Sequence, residues 1–206
     1  MEDIDAHSST HRLEAFSDGV LAIAITLLII EIGVPHVEGD DSLGDRIGDL
    51  WPSYFAYVLS FITIGIYWAN HHSYMQLFRR TDHAFLILNV VFLMTIAFLP
   101  FPTAVLGEYL REDAQRGDAV TFYAFGLLLP ATAWFLLWWY GRARGLLLEG
   151  LAPRYVNVMT LQYVISIGIY SAALIASLVE PWAGLAICTG ITAVYLLPPR
   201  PPAFEG

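Results

Sequence analysis

Six apolar runs, separated by short polar connections, organise the chain from end to end. They cover about 13–34, 51–77, 84–106, 119–140, 155–179 and 182–197, each near the roughly 20 residues that a bilayer crossing requires. A lipid-exposed segment must satisfy its own backbone hydrogen bonds, so each run is expected to be a helix. The connections are marked by glycine, proline and charge: PHVEGDDSLGDRIGD, FRRTDH, GEYLREDAQRGD, GRARGLLLEGLAPR and VEPWAG. A proline-rich tail, 198–206, follows the last run and is expected to be irregular. The pattern predicts an all-α integral membrane protein with six transmembrane helices in a single polytopic domain, 1–206.

The first run departs from a plain span. Its uninterrupted apolar part, Val20 to Ile30, is eleven residues long and includes Thr26, about half of a crossing. To span, the helix must carry Ser17 and Asp18 at membrane depth or in a mouth, and that requires protein or water around them. Gly19, Ala22, Ala24 and Thr26 are small residues that let helices approach closely. Ile23, Leu27 and Ile30 recur at i, i+4 and i+7 as one bulky stripe. Such a stripe suits packing against another helix, and a ring of such stripes would form a hydrophobic constriction that gates by dewetting.

Asp18 is costly at that depth and calls for a partner. Arg12 lies six residues away, outside the favourable i, i+4 geometry, so help is expected from another helix. Asn70, His71 and His72 of the second run and Asn89 of the third are the candidates. Alternatively, Ser17 and Asp18 act only as polar glue between helices. His71 and His72 also suit hydrogen bonding or pH sensing.

Composition agrees with membrane residence: 57% of residues are hydrophobic and 14% charged, with a mean hydropathy of +0.58. All ten basic residues are arginine. With the N-terminus inside, Arg12, Arg79, Arg80, Arg142, Arg144, Arg154 and Arg200 fall on the cytoplasmic side, against Arg46, Arg111 and Arg116 outside. Basic residues are retained inside, so both termini are expected to be cytoplasmic. The outer connections are then acidic, with Glu38, Asp40, Asp41, Asp45 and Asp49 in one and Glu108, Glu112, Asp113 and Asp118 in the other. Such a surface concentrates cations.

Several chemistries are disfavoured. A net charge of −9 without a basic stripe argues against a nucleic-acid partner. The lone Cys188 offers neither a disulfide framework nor a thiolate metal site. The start MEDIDAHSSTHR is acidic where a cleavable signal would be basic. No H-E-x-x-H or G-x-S-x-G motif occurs, and adjacent histidines on a helix point about 100° apart, so no metal site, cofactor or enzymatic activity is expected.

The pattern R-x-x-x-F-S-D-G-V-x-A-I-A-I-T-L-L, with Arg12, Phe16, Ser17, Asp18, Gly19, Ile23 and Thr26, resembles the first-helix signature of the transmembrane protein 175 family of cation channels. W-x-N-H-H-x-x-M at Trp68 to Met75 and N-V-V-F-L-M-T-I-A-F-L-P-F-P-T at Asn89 to Thr103 extend the resemblance through three runs. It implies a potassium-permeable channel whose first helices line a central pore. One motif copy per chain then implies a homotetramer. Ile23 would form the narrowest ring, with Leu27 and Ile30 stacked beyond it and Thr26 at a polar position linked to cation preference. Thr26 is otherwise expected to bond the carbonyl of Ala22. Arg12, Phe16, Ser17, Asp18, Asn70, His71, His72 and Asn89 would form a gating or structural network, and Glu31 would sit at the outer mouth. No T-V-G-Y-G filter is present, which implies modest selectivity.

The implied function is passive conduction of potassium and other monovalent cations, with no cofactor, across a cell membrane. Two alternatives stand beside it: a proton-coupled secondary transporter using Asp18, His71 and His72 as a relay, and a membrane metalloenzyme. The transporter would need inverted repeats or broken helices, which are not evident in the sequence.

Overall fold

The computed structural model describes the backbone of residues 2–37, 39, 42–198 and 201–204, and side chains from Arg12 onward within these. Helices dominate: α1 Glu2–Leu27, α2 Leu43–Asp49, α3 Trp51–Met75, α4 His83–Phe98, α5 Pro100–Tyr109, α6 Arg116–Ala143, α7 Pro153–Ser177 and α8 Pro181–Tyr195. No β-sheet forms among the described residues, where the two extended pairings are isolated bridges. Five helical stretches are long and apolar enough to cross a membrane, and α8, with 15 residues, is a shorter apolar helix. The fold is that of an all-α membrane protein.

Two departures from the expected pattern have local causes. The first connection contains the short helix α2, because Ser42 caps it: the Asp45 N–H donates to Ser42 Oγ at 3.1 Å. That bond supplies a partner to an N–H that the first turn would otherwise leave open. The third run is two helices, α4 and α5, meeting at Leu99. Pro100 has no N–H to give to the Ile96 carbonyl, and the Leu99 N–H takes that carbonyl instead at 3.0 Å.

The central helix is α6, which packs on α4, α5, α7 and α8. Its Gly126 lets α5 come close: a Cβ there would lie 2.7 Å from Pro102 Cγ. Hydroxyls join the helices in the interior. Ser60 Oγ on α3 lies 2.7 Å from Thr103 Oγ1 on α5 and 3.0 Å from Tyr123 Oη on α6. Toward the other end, Tyr67, Tyr74, Phe92, Trp134, Trp138 and Tyr163 form a continuous aromatic cluster of tilted and edge-on rings.

Each end is tied by an arginine–carboxylate pair. At one, the α3–α4 and α6–α7 connections pair: the Arg79 N–H donates to Leu146 O at 3.0 Å and the Leu148 N–H to Leu77 O at 2.9 Å. Arg79 also bonds Glu149 there. At the other end, Arg111 reaches Asp49. Helix α1 packs on α3 and α4, and beyond Leu27 it tightens into a 3-10 turn, Leu28–Glu31, that packs on α5 and α3.

Candidate functional site on the first helix

Helix α1 divides into two faces. Leu13, Ser17, Leu21, Ala24 and Leu28, spaced by four or three residues, are buried against the rest of the chain. Phe16 (55% exposed), Ile23 (61%), Leu27 (40%) and Ile30 (71%) lie on the outward face. Gly19, Ala22 and Thr26 accompany them and are also exposed. The aliphatic stripe expected from spacing is therefore one continuous feature that the chain itself leaves uncovered. Thr26 Oγ1 donates to the Ile23 carbonyl at 2.9 Å, not to Ala22. Glu31 is exposed at the end of the 3-10 turn.

The buried face carries a directional hydrogen-bond chain across three helices. Ser17 Oγ donates to Leu13 O at 2.9 Å, so its lone pairs must accept from Asn89 Nδ2 at 3.0 Å. That fixes the Asn89 amide with Oδ1 toward His71, 3.2 Å from Nε2. Nε2 therefore carries the proton. Ser17, Asn89 and His71 are all buried, and His71 Nδ1 has no hydrogen-bond partner among the described atoms. The His71 ring stacks on Phe92, with centroids 6.1 Å apart, and meets the edge of Trp134.

The remaining network candidates are placed elsewhere. Asp18 is exposed, and no hydrogen bond or ion pair among the described residues joins it to Asn70, His71, His72 or Asn89. Asn70 donates back to the Ile66 carbonyl of its own helix at 2.8 Å and borders a cavity that no described side chain of α1 lines. His72 is exposed, with Nδ1 3.6 Å from Glu14 Oε2 and Nε2 2.8 Å from Gln76 Nε2. Glu14 was not among the sequence candidates. It lies four residues before Asp18, and its charge at the entrance of the apolar run was its only signal in the sequence. Arg12 and Phe16 are exposed.

His71 and His72 thus face opposite surroundings and do not share a ligand position. Among the described residues no cluster of three or more His, Cys, Asp or Glu could hold a metal ion. At the end of the bundle beyond Ile30, part of the acidic character is already matched. The Arg111 guanidinium, 2.7 Å from Asp49 Oδ1, holds that carboxyl below the usual carboxylate range, and Arg116 lies 2.6 Å from Asp113. Glu38, Asp40 and Asp41 lie outside the described residues.

Known proteins resemble this chain in sequence and fold. A protein of Chamaesiphon minutus named as a potassium channel, Cha6605_3372, is 40% identical over 198 residues, 95% of this chain and 97% of its own. Residues 12–100 match the family described as "Endosomal/lysosomal potassium channel TMEM175". The chain belongs to the TMEM175 family. A second relative, named as the potassium channel B446_29190 of Streptomyces collinus, is 50% identical over 129 residues, 63% of each chain. The crystal structure described as a lysosomal potassium-selective channel TMEM175 homolog from Chamaesiphon minutus superposes with a TM-score of 0.83 at 38% identity, covering 92% of this chain and 97% of that one. The TMEM175 profile spans α1 through α4, the segment that contains both faces of α1 and the whole Ser17–Asn89–His71 chain.

Proposed function

We propose that the chain, as one polytopic domain, is the subunit of a homotetrameric potassium-permeable channel that conducts passively along the axis lined by four copies of α1. The observation that carries this reading is the uncovered stripe of Ile23, Leu27 and Ile30. Gly19, Ala22 and Thr26 beside it favour close approach of helices over a plain lipid-facing surface. Four Ile23 side chains meeting on the axis form a ring that excludes water when narrow and conducts when wetted. Leu27 and Ile30 continue the ring outward, Thr26 offers its hydroxyl oxygen beside it, and Glu31 stands at the mouth. Without filter carbonyls, discrimination between monovalent cations is modest. The relatives' names as potassium channels and the matching structure support this over an enzyme.

The proposed setting is a cell membrane with both termini cytoplasmic. The paired connections bearing Arg79, Arg80, Arg142, Arg144 and Arg154 then face inward, as retention of arginine requires. A proton-coupled transporter is the weaker reading, because Asp18, His71 and His72 do not form a connected relay. The test is flux from reconstituted vesicles with potassium, sodium and N-methylglucamine. Channel-rate potassium flux is expected, with Ile23→Asn raising flux and eroding potassium preference. Saturable, proton-coupled uptake would replace the channel by the transporter, and an unchanged Ile23→Asn would remove Ile23 from the constriction.

A further inference from the structure

Beyond Leu27 no side-chain hydrogen bond among the described residues ties the first helix to another, so its outer part is placed by what it packs on. The 3-10 turn Leu28–Glu31 rests on α3 and α5, with Leu28 fully buried. Those two helices are joined to each other along one seam at three points. Deep in the bundle, Ser60 Oγ lies 2.7 Å from Thr103 Oγ1. Nearer the end of α5, Gly107 brings the backbones together: a Cβ there would lie 3.0 Å from Ser53 Cα. At the rim, the Arg111 guanidinium donates to Asp49 Oδ1 at 2.7 Å. Positions 103, 107 and 111 are four residues apart, and 60, 53 and 49 are seven and four apart, so each set lies on one side of its helix.

The three ties differ in weight. The rim pair is half-exposed, and ion pairs of that kind contribute little. The glycine contact sets a distance but carries no direction. Ser60 and Thr103 are both buried, and the direction of their bond is fixed. Thr103 Oγ1 donates to the Leu99 carbonyl at 2.8 Å, so it accepts from Ser60. Ser60 in turn accepts from the Tyr123 hydroxyl at 3.0 Å. A slide of α5 along α3 would break this series.

We propose that Ser60 and Thr103 are positioning residues of the conduction path: their bond fixes the α3–α5 seam and, through it, how far the outer part of α1 stands from the pore axis. This rests on the reading of α1 as the pore lining. Ile30 belongs to the same 3-10 turn that the seam supports, and Leu27 immediately precedes it. With α1 attached at Ser17, a loosened seam lets the outer segment draw back from the axis and widens the path.

Thr103→Val removes the bond while keeping the side-chain shape, and it strands no partner. The Leu99 carbonyl keeps the Thr103 N–H at 3.1 Å, and the Ser60 hydroxyl can turn to a carbonyl one turn back on its own helix. Potassium flux from reconstituted vesicles is expected to rise about threefold, the factor carried by one interhelical bond of average strength. Distances between nitroxide labels on Glu31→Cys in the assembled protein are expected to lengthen. Thr103→Ser keeps the hydroxyl and is expected to return both readings to those of the wild type. Ser60→Ala combined with Tyr123→Phe removes the same bond from the other side and is expected to act as Thr103→Val does. Label distances unchanged in both variants overturn the proposal, as does a Thr103→Ser that behaves like Thr103→Val. Either result leaves the pore reading standing if Ile23→Asn raises flux; an Ile23→Asn without effect removes that reading and this proposal with it.

Discussion

Replacing Asn89 with leucine tests the buried hydrogen-bond chain directly. Leucine approximates the shape of asparagine, so the substitution removes polar function without opening a large cavity. Two interhelical bonds disappear, to Ser17 at 3.0 Å and from His71 at 3.2 Å. Interhelical bonds within membrane proteins average about 0.6 kcal/mol, with a maximum near 1.7. Ser17 keeps its bond to the Leu13 carbonyl, so its loss is partial. His71 fares worse, because Nδ1 is already without a partner and Nε2–H would join it. A buried donor left unsatisfied costs about 1–3 kcal/mol. The expected destabilisation is therefore about 1–3 kcal/mol, measured by reversible unfolding of the purified protein in mixed micelles.

The double variant sharpens the test. When both partners of a buried bond become apolar, the desolvation penalty disappears and the cost approaches zero. Adding His71→Leu to Asn89→Leu should thus recover a substantial part of the lost stability, limited by the ring contacts to Phe92 and Trp134, worth about 0.5–1.5 kcal/mol. Contacting residues are expected to deviate from additivity by more than about 0.5 kcal/mol. If Asn89→Leu unfolds within about 0.3 kcal/mol of wild type, or if the two substitutions simply add, the three residues do not form the chain described above.

Two further expectations follow from the fold. Asp82 caps α4, accepting from the Phe85 N–H at 2.8 Å and from the Tyr140 hydroxyl at 2.9 Å; the first of these bonds chiefly holds its carboxyl below the usual range. Asp82→Ala should cost about 0.5–2 kcal/mol. Because the folded value lies below the unfolded one, near 3.9, the carboxylate's contribution is present at neutral pH and fades as pH falls through and below that value. Unfolding profiles between neutrality and acid should flatten in Asp82→Asn, and an unchanged profile would deny Asp82 that role. Gly126→Ala places a Cβ 2.7 Å from the Pro102 ring, which cannot swing aside, and a loss of about 1–3 kcal/mol is expected; wild-type stability would show that α5 and α6 separate freely.

The membrane helices were readable because lipid imposes one requirement, an apolar stretch of sufficient length, and six runs meet or approach it. What the pattern concealed is local. The LPFP sequence at 99–102 lies inside an apolar run, and hydropathy does not register that Pro100 lacks an N–H. The cap of α2 was present as Ser42 followed by Asp45, but glycines on either side gave the segment the look of a plain connection. Asn70 belongs by position with Thr63, seven residues earlier, and both line the α3–α7–α8 cavity. Its adjacency to His71 in sequence said nothing about direction, since the next residue on a helix points about 100° away.

On α1 the same distinction separates charge from position. Asp18 drew attention because an acid at membrane depth is expensive, yet that penalty assumes lipid, and Asp18 lies on the exposed side of the helix. Ser17 carries no charge and occupies the buried register set by Leu13, Leu21, Ala24 and Leu28. That register was available in the sequence as an i, i+4 series, opposite the stripe of Ile23, Leu27 and Ile30. The two series answer different demands: one supplies a fixed polar attachment to α3 and α4, the other an apolar surface that this chain leaves open. Ser17 precedes Ile23 by six residues, about 9 Å along the helix, and between them and beyond no side-chain hydrogen bond among the described residues ties α1 to another helix. The attachment is therefore directional at Ser17 and purely apolar toward Ile30, so α1 is held in register at one end while the part bearing the exposed aliphatic stripe depends on packing alone.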